Sequence, residues 1–291
     1  MTGGGIRPGH RPTTVWIPLF LLLLLNACSL KEVAWDRADW LAQRQINTTF
    51  DLNDDQEDMI WPVVRQQVAR LKKEEAPRLL RLLEKVRDTA AKPVSEKAVR
   101  DLEKEMLTWR QALAKPLIPA AARLLLSLTP EQKEHFRAGL REFHAGREEL
   151  LTLSLEDLED AMEDRREAAV ESLTEWLGSV TPLQLRLVGA QHPADLGKLK
   201  KQLQTVYTTH DLFFTRLDKI RTAPAVEAFL LDWSRSPGTE AYRQMRREIN
   251  EQRIRRILAL DKTLSGDQRQ FLVKKIDSYV KDLRDLMKRG V

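Results

Sequence analysis

Few residues of this chain of 291 could carry covalent or acid–base chemistry. It has one cysteine, Cys28, so neither a disulfide nor a thiolate zinc site can form within it. Beyond the first segment the histidines are His135, His144, His192 and His210, and the nine residues from His135 to His144 put that pair on opposite sides of a helix. Neither E-x-x-H nor H-E-x-x-H occurs, and G-x-S-x-G and a phosphate-binding glycine loop are also absent. A carboxylate pair could still work as acid and base, since such pairs meet in space and leave no spacing among the 43 acids. The expectation is a protein without catalytic residues, metal or non-covalent cofactor, with a carboxylate enzyme as one alternative.

The cysteine ends an apolar run. Residues 15–25 are apolar throughout with Pro18 the one interruption, and the residues before them carry Arg7 and Arg11 and no acid. Eleven helical residues rise about 16 Å, roughly half a bilayer's hydrocarbon thickness, which suits the core of a signal peptide and not a span. The run closes Leu25-Asn26-Ala27-Cys28, which resembles the lipobox of bacterial lipoprotein precursors. That resemblance implies cleavage after Ala27 and a covalent diacylglyceryl and N-acyl lipid on Cys28. Ser29, where an aspartate would retain the protein, implies sorting to the outer membrane, on its periplasmic face. Residues 1–27 are thus expected to be a cleaved signal peptide, 28–48 the lipidated N-terminus and first helix, and 49–291 an all-helical domain. An anchor helix with an incidental thiol is the alternative.

Without the leader the formal charge falls from +5 to +3, because Arg7 and Arg11 go and no acid goes with them. A sequence pI near 9.3 would suit nucleic acid, but an exported chain of such small net charge is not expected to bind it. The charge is uneven. Residues 148–171 hold ten acids against Arg165 and Arg166, and residues 243–256 hold six arginines against Glu248 and Glu251. These stretches read as solvated helix faces or, in the basic case, as a face for lipopolysaccharide or anionic lipid headgroups.

The elements that must position these residues are helices almost throughout. Val99, Leu102, Met106, Trp109 and Leu113 step by three and four, as do Leu272, Ile276, Tyr279, Leu283 and Leu286. Leu158, Met162, Ala169, Leu173 and Trp176 mark another helix, closed by Gly178, and Leu199, Leu203, Val206, Phe213 and Leu217 a fourth. Prolines fall mostly where helices begin or break, and Pro62 and Pro77 should begin or bend the helix they lie in. The fold class is all-α, a multi-helix bundle of long helices, with two similar halves left open.

One pattern recurs: L-N-D-D-Q from Leu52, L-T-P-E-Q from Leu128, V-T-P-L-Q from Val180 and L-S-G-D-Q from Leu264. Each is a capping box. The side chain of Asn53, Thr129, Thr181 or Ser265 accepts from a backbone N–H in the first turn, and Gln56, Gln132, Gln184 or Gln268 reaches back to the cap. The first box lies 128 residues before the third and the second 136 before the fourth, which leaves an old duplication open. The boxes also resemble the L-T-x-x-Q motif of Spy- and CpxP-type periplasmic chaperones, which implies a helical cradle for unfolded clients.

A broader resemblance rests on C-S-L-K-E-V-A-W-D-R-A-D-W-L from Cys28, F-D-L-N-D-D-Q from Phe50 and K-K-E-E-A-P-R-L-L from Lys72. It continues through L-T-P-E-Q, E-W-L-G-S-V-T-P-L-Q from Glu175 and L-S-G-D-Q-R. By these residues the chain resembles an uncharacterised family of helical lipoproteins from Gram-negative bacteria, a domain of unknown function. Trp35 stands where tyrosine is common there, Ala76 where leucine is, and Lys72 and Lys73 where arginines are. The resemblance implies fold and compartment, and no chemistry.

Two further features bear on binding. Trp35, Trp40 and Trp61 read as core anchors or as interfacial rings. In K-K-E-E-A-P-R-L-L-R-L-L, Glu74, Glu75 and Arg78 read as surface ion pairs, or Pro77 bends the helix into a concave charged rim for a partner. The expected function is that of an outer-membrane-anchored periplasmic lipoprotein that binds an envelope protein as adaptor or scaffold. A chaperone-like cradle and an enzyme acting on envelope polymer are the alternatives.

Overall fold

The computed structural model describes residues 35–188 and 195–289. The leader, Cys28, Ser29 and His192 lie outside the described residues. The helices are α1 (Ala38–Phe50), α2 (Asp54–Arg70), α3 (Ala76–Ala90), α4 (Glu96–Ala114), α5 (Ile118–Ser127) and α6 (Pro130–Glu148). They continue as α7 (Leu155–Leu177), α8 (Pro182–Leu187), α9 (Leu196–Leu217), α10 (Ala223–Arg235), α11 (Glu240–Asp261) and α12 (Gly266–Arg289). No strand occurs among the described residues, and the protein is all-α.

The helices are nested. α6 packs on α9, α5 on α10, α4 on α11 and α3 on α12, so each helix of the first half meets one counted inward from the other end. α7 and α8 connect α6 to α9 and fold back on α12 and α11, and α1 and α2 flank α6 and α5. The apolar stripes specify the pairing. Ile276, Tyr279, Leu283 and Leu286 of α12 are all buried, the first beside Ala90 and the last two with Leu79, Trp35 and Trp109. Leu217 and Val226 close a second core over Ile60, Val64, Leu124 and Leu125. Each such side chain contributes about 1.5–3 kcal/mol by leaving water.

Pro130 and Pro182 occupy the first turn of α6 and α8, where a missing N–H does no harm. Pro62 lies within α2, whereas Pro77 opens α3 directly after a single π-helical turn, Leu71–Glu75. α7 departs from its stripe. None of its residues before Leu177 is buried, so Leu158, Met162, Leu173 and Trp176 cover the body only in part. Gly178 ends it at φ 76°, and a Cβ there would meet the Phe271 ring at 2.9 Å, so backbone and packing both demand glycine. Among the described residues no single helix is long and apolar enough to cross a membrane.

Candidate functional site

The four glutamines of the capping boxes do more than cap. Asn53, Thr129, Thr181 and Ser265 accept from the N–H of Gln56, Gln132, Gln184 and Gln268, and each glutamine Oε1 accepts the N–H of its own cap residue. The side-chain amides then pair. Gln56 and Gln132 exchange two hydrogen bonds of 2.9 and 2.7 Å, and Gln184 and Gln268 exchange two of 2.9 and 3.0 Å. Every second Nε2 hydrogen goes to the carbonyl two residues before the partner's cap: Ser127, Asp51, Thr263 and Ser179. Each amide thus has both donors and both acceptor positions filled while fully or almost fully buried. These two clasps tie the start of α2 to that of α6 and the start of α8 to that of α12. The same bonding pattern appears twice, each clasp joining neighbouring boxes, 56 with 132 and 184 with 268.

The clasps are structural, so the residues that could act on a ligand lie elsewhere. His135 and His144 do face apart: the His135 ring bonds the Thr48 carbonyl at 2.9 Å, while His144 is buried against α9. There it meets His210 at 5.7 Å between ring centroids and Tyr207 at 6.0 Å, an encounter no spacing announced. The Tyr207 hydroxyl donates to Glu148 at 2.9 Å. Nδ1 of both histidines is buried without a hydrogen-bond partner. Burial, then the neighbouring His210 and Arg147, push the His144 pKa down from 6.5 to about 4; burial also lowers that of His210. Burial and the bond to Glu148 raise Tyr207 to about 12. Both imidazoles are therefore neutral in the folded protein at pH 7.

The unfolded chain binds protons at these histidines that the folded chain refuses. Stability should be complete above pH 6.5 and fall as pH drops from there toward 4, by up to about 3 kcal/mol from His144. Urea midpoints between pH 7 and 4 will show this slope, and His144→Phe should flatten it. An unchanged slope in that variant would remove the pair from the acid response. Among the described residues no three His, Cys, Asp or Glu gather to hold a metal.

A concavity lies between α3, which follows the π-turn, and α4. Glu75 is not the surface acid its sequence suggests. It is 1 % exposed, because the extra residue in the π-turn rotates it inward, where Arg70 holds one oxygen at 2.8 Å and Arg78 reaches it at 3.1 Å. Glu74 stays outside and pairs with Arg70. Lys72 lies 5.6 Å from the Trp35 ring, which is buried, as core anchoring requires; Trp61 is half-buried and Trp40 is 48 % exposed. Beyond the turn, Arg78, Arg81 and Lys85 of α3 face Asp101, Lys104, Glu105 and Thr108 of α4 across a groove of about 830 Å³. Its floor is Leu82 and Trp109, both buried. Lys85 and Glu105 pair, and Asp101 is held by Lys97, which keeps that carboxyl below its usual range. Arg81 and Lys104 make no ion pair among the described residues, so the rim is cationic.

Sequence reasoning singled out the K-K-E-E-A-P segment as a candidate rim but gave no hint of the α4 wall, whose groove residues alternate with its core stripe. A model of a family of unknown function, DUF6279, matches residues 48–205. The match contains the first clasp, the π-turn and the whole groove, and Gln184 without its partner. No curated protein and no solved structure matches the chain.

Proposed function

The chain belongs to DUF6279, a family of unknown function, and we propose from its own residues that it is a binding protein held at the membrane by a lipid on Cys28. In this reading it is an outer-membrane lipoprotein facing the periplasm, an adaptor or scaffold, and not an enzyme. The groove between α3 and α4 carries the proposal. It is a concavity with an apolar floor and two cations outside any ion pair at its rim, Arg81 and Lys104, suited to an acidic segment with a few apolar side chains. The buried Glu75, held by Arg70 and Arg78, and the bond from Arg70 to the Ala112 carbonyl fix the start of α3 against α4, so little ordering cost falls on binding. The anchor would raise the local concentration of the protein toward envelope partners.

The test places a photo-crosslinking residue at Thr108 in living cells and identifies what it captures. One dominant envelope protein, lost on Arg81→Glu with Lys104→Glu, is the expected result. Capture of many unfolded outer-membrane proteins would favour the chaperone reading. No capture from the groove would end the proposal.

A further inference from the structure

Three features remain outside these readings: the paired histidines, the half-covered α7 and the outer face of α11. The histidines lack a third ligand, and nothing indicates what would cover α7. The face of α11 goes further. At 3.6 residues per turn, Arg246, Ile249, Arg253, Arg256, Ile257 and Leu260 share one side of this helix, and Glu240, Glu248 and Glu251 project from the other. Only Ile254 and Asp261 of its residues are buried, while Ile249 and Ile257 stand 37 % and 40 % exposed. A shallow cleft of about 340 Å³ runs past both isoleucines, with Val188 at the end of α8 as its other wall. Arg243 and Arg247 are neutralised by Glu240 on the acidic side, and Arg253 pairs with Glu103 while staying 60 % exposed. Arg246 and Arg256 on the apolar side have no ion-pair partner among the described residues.

We propose that this face of α11 lies on the anionic phospholipid headgroups of the membrane that carries the anchor. The inference rests on the lipid-anchor reading and is independent of the groove. Exposed branched aliphatics set between unpaired arginines, with the acids Glu240, Glu248 and Glu251 of the helix on the far side and Glu103 of α4 reaching the face only at Arg253, are what an interfacial helix presents to such a surface. The arginines meet lipid phosphate, and the two isoleucines enter the headgroup layer.

The experiment uses the acylated protein in vesicles, with Ile249→Cys or, on the acidic side, Gln244→Cys carrying a nitroxide; the Cys28 sulfur is blocked by its lipid. In phosphatidylethanolamine vesicles containing phosphatidylglycerol, the label at 249 should be shielded from an aqueous relaxant and reached by a lipid-dissolved one. The label at 244 should remain aqueous. In pure phosphatidylcholine both should be aqueous. Arg246→Gln with Arg256→Gln should lower the docking constant about 30-fold, and Arg255→Gln, off the face, far less. An aqueous label at 249 in the anionic vesicles would overturn the proposal. So would shielding that is the same in phosphatidylcholine, or that tracks protein density and not lipid, since the face would then bind protein. The mass of the Cys28 peptide is measured first. If it carries no lipid the anchor reading fails, and the same labels in a Cys28→Ser background, added to the vesicles from solution, still decide the face.

Discussion

Gln184→Glu should lower stability by about 3–5 kcal/mol at pH 7 and by much less near pH 4. The two residues have one shape, but glutamate lacks the two hydrogens that Gln184 gives to Gln268 and to the Thr263 carbonyl. Its ionised carboxylate would be fully buried, one oxygen keeping the Thr181 N–H and the Gln268 Nε2 as donors and the other facing two acceptor oxygens. Its pKa must therefore rise above the ordinary value of about 4.3. A raised carboxyl gives its full stability below that ordinary value and loses it as pH climbs through the raised one. The sign is thus opposite to that of the wild-type histidines, which favour high pH. Urea unfolding at the two pH values separates them. Gln184→Leu with Gln268→Leu should cost less than the sum of the single changes, because no side-chain amide is left buried without its partner. Equal stability of the glutamate variant at both pH values would mean that the amide pair does not hold the clasp.

Arg70→Met should cost about 3 kcal/mol, more than Arg78→Met. Both arginines bond Glu75, yet they differ in burial. Arg70 is 25 % exposed and also reaches the Ala112 carbonyl, tying the π-turn to α4, whereas Arg78 is 55 % exposed and its bond is screened. Without Arg70 the buried carboxylate keeps only a solvated partner. The surface reading of the segment implies the reverse, that neither change matters much. Thermal melts of the two variants beside Glu74→Ala, which should be nearly silent, decide between them. Equal small losses in all three would return Glu75 to the surface.

What the sequence discloses here is local. The steps of three and four from Val99 to Leu113 and from Leu272 to Leu286 mark real helices, because an amphipathic stripe must bury one side. The four boxes name their caps, since the hydroxyl or amide and the glutamine that satisfy a helix start lie three residues apart. Which box meets which is not local. The matched spacings relate the first box to the third, while the hydrogen bonds join the first to the second, a choice made by helix packing across 76 residues. The same holds for His144 and His210, brought together only because α6 lies on α9. Glu75 was misread because a π-turn adds one residue to the helical register, and a charge placed on the outside by a period of 3.6 turns inward. The α11 arginines were visible as a run, but their division into neutralised and free needed the partners.

The nested order of the helices has a consequence for how the chain reaches its native state. α3 and α12 lie near opposite ends of the described chain, and their ion pair Arg284–Glu84 spans 200 residues, a separation that by itself implies slow loop closure. Nesting removes most of that cost. Once α6 and α9 meet across the segment 149–195 that holds α7 and α8, the loop left for α5 and α10 is small, and each later pair closes a loop already shortened by the one inside it. Assembly would run outward like a zipper and finish with the docking of α12 on α3, the outermost of the nested pairs. Until α12 arrives, the apolar side of α3 lies open beside the groove.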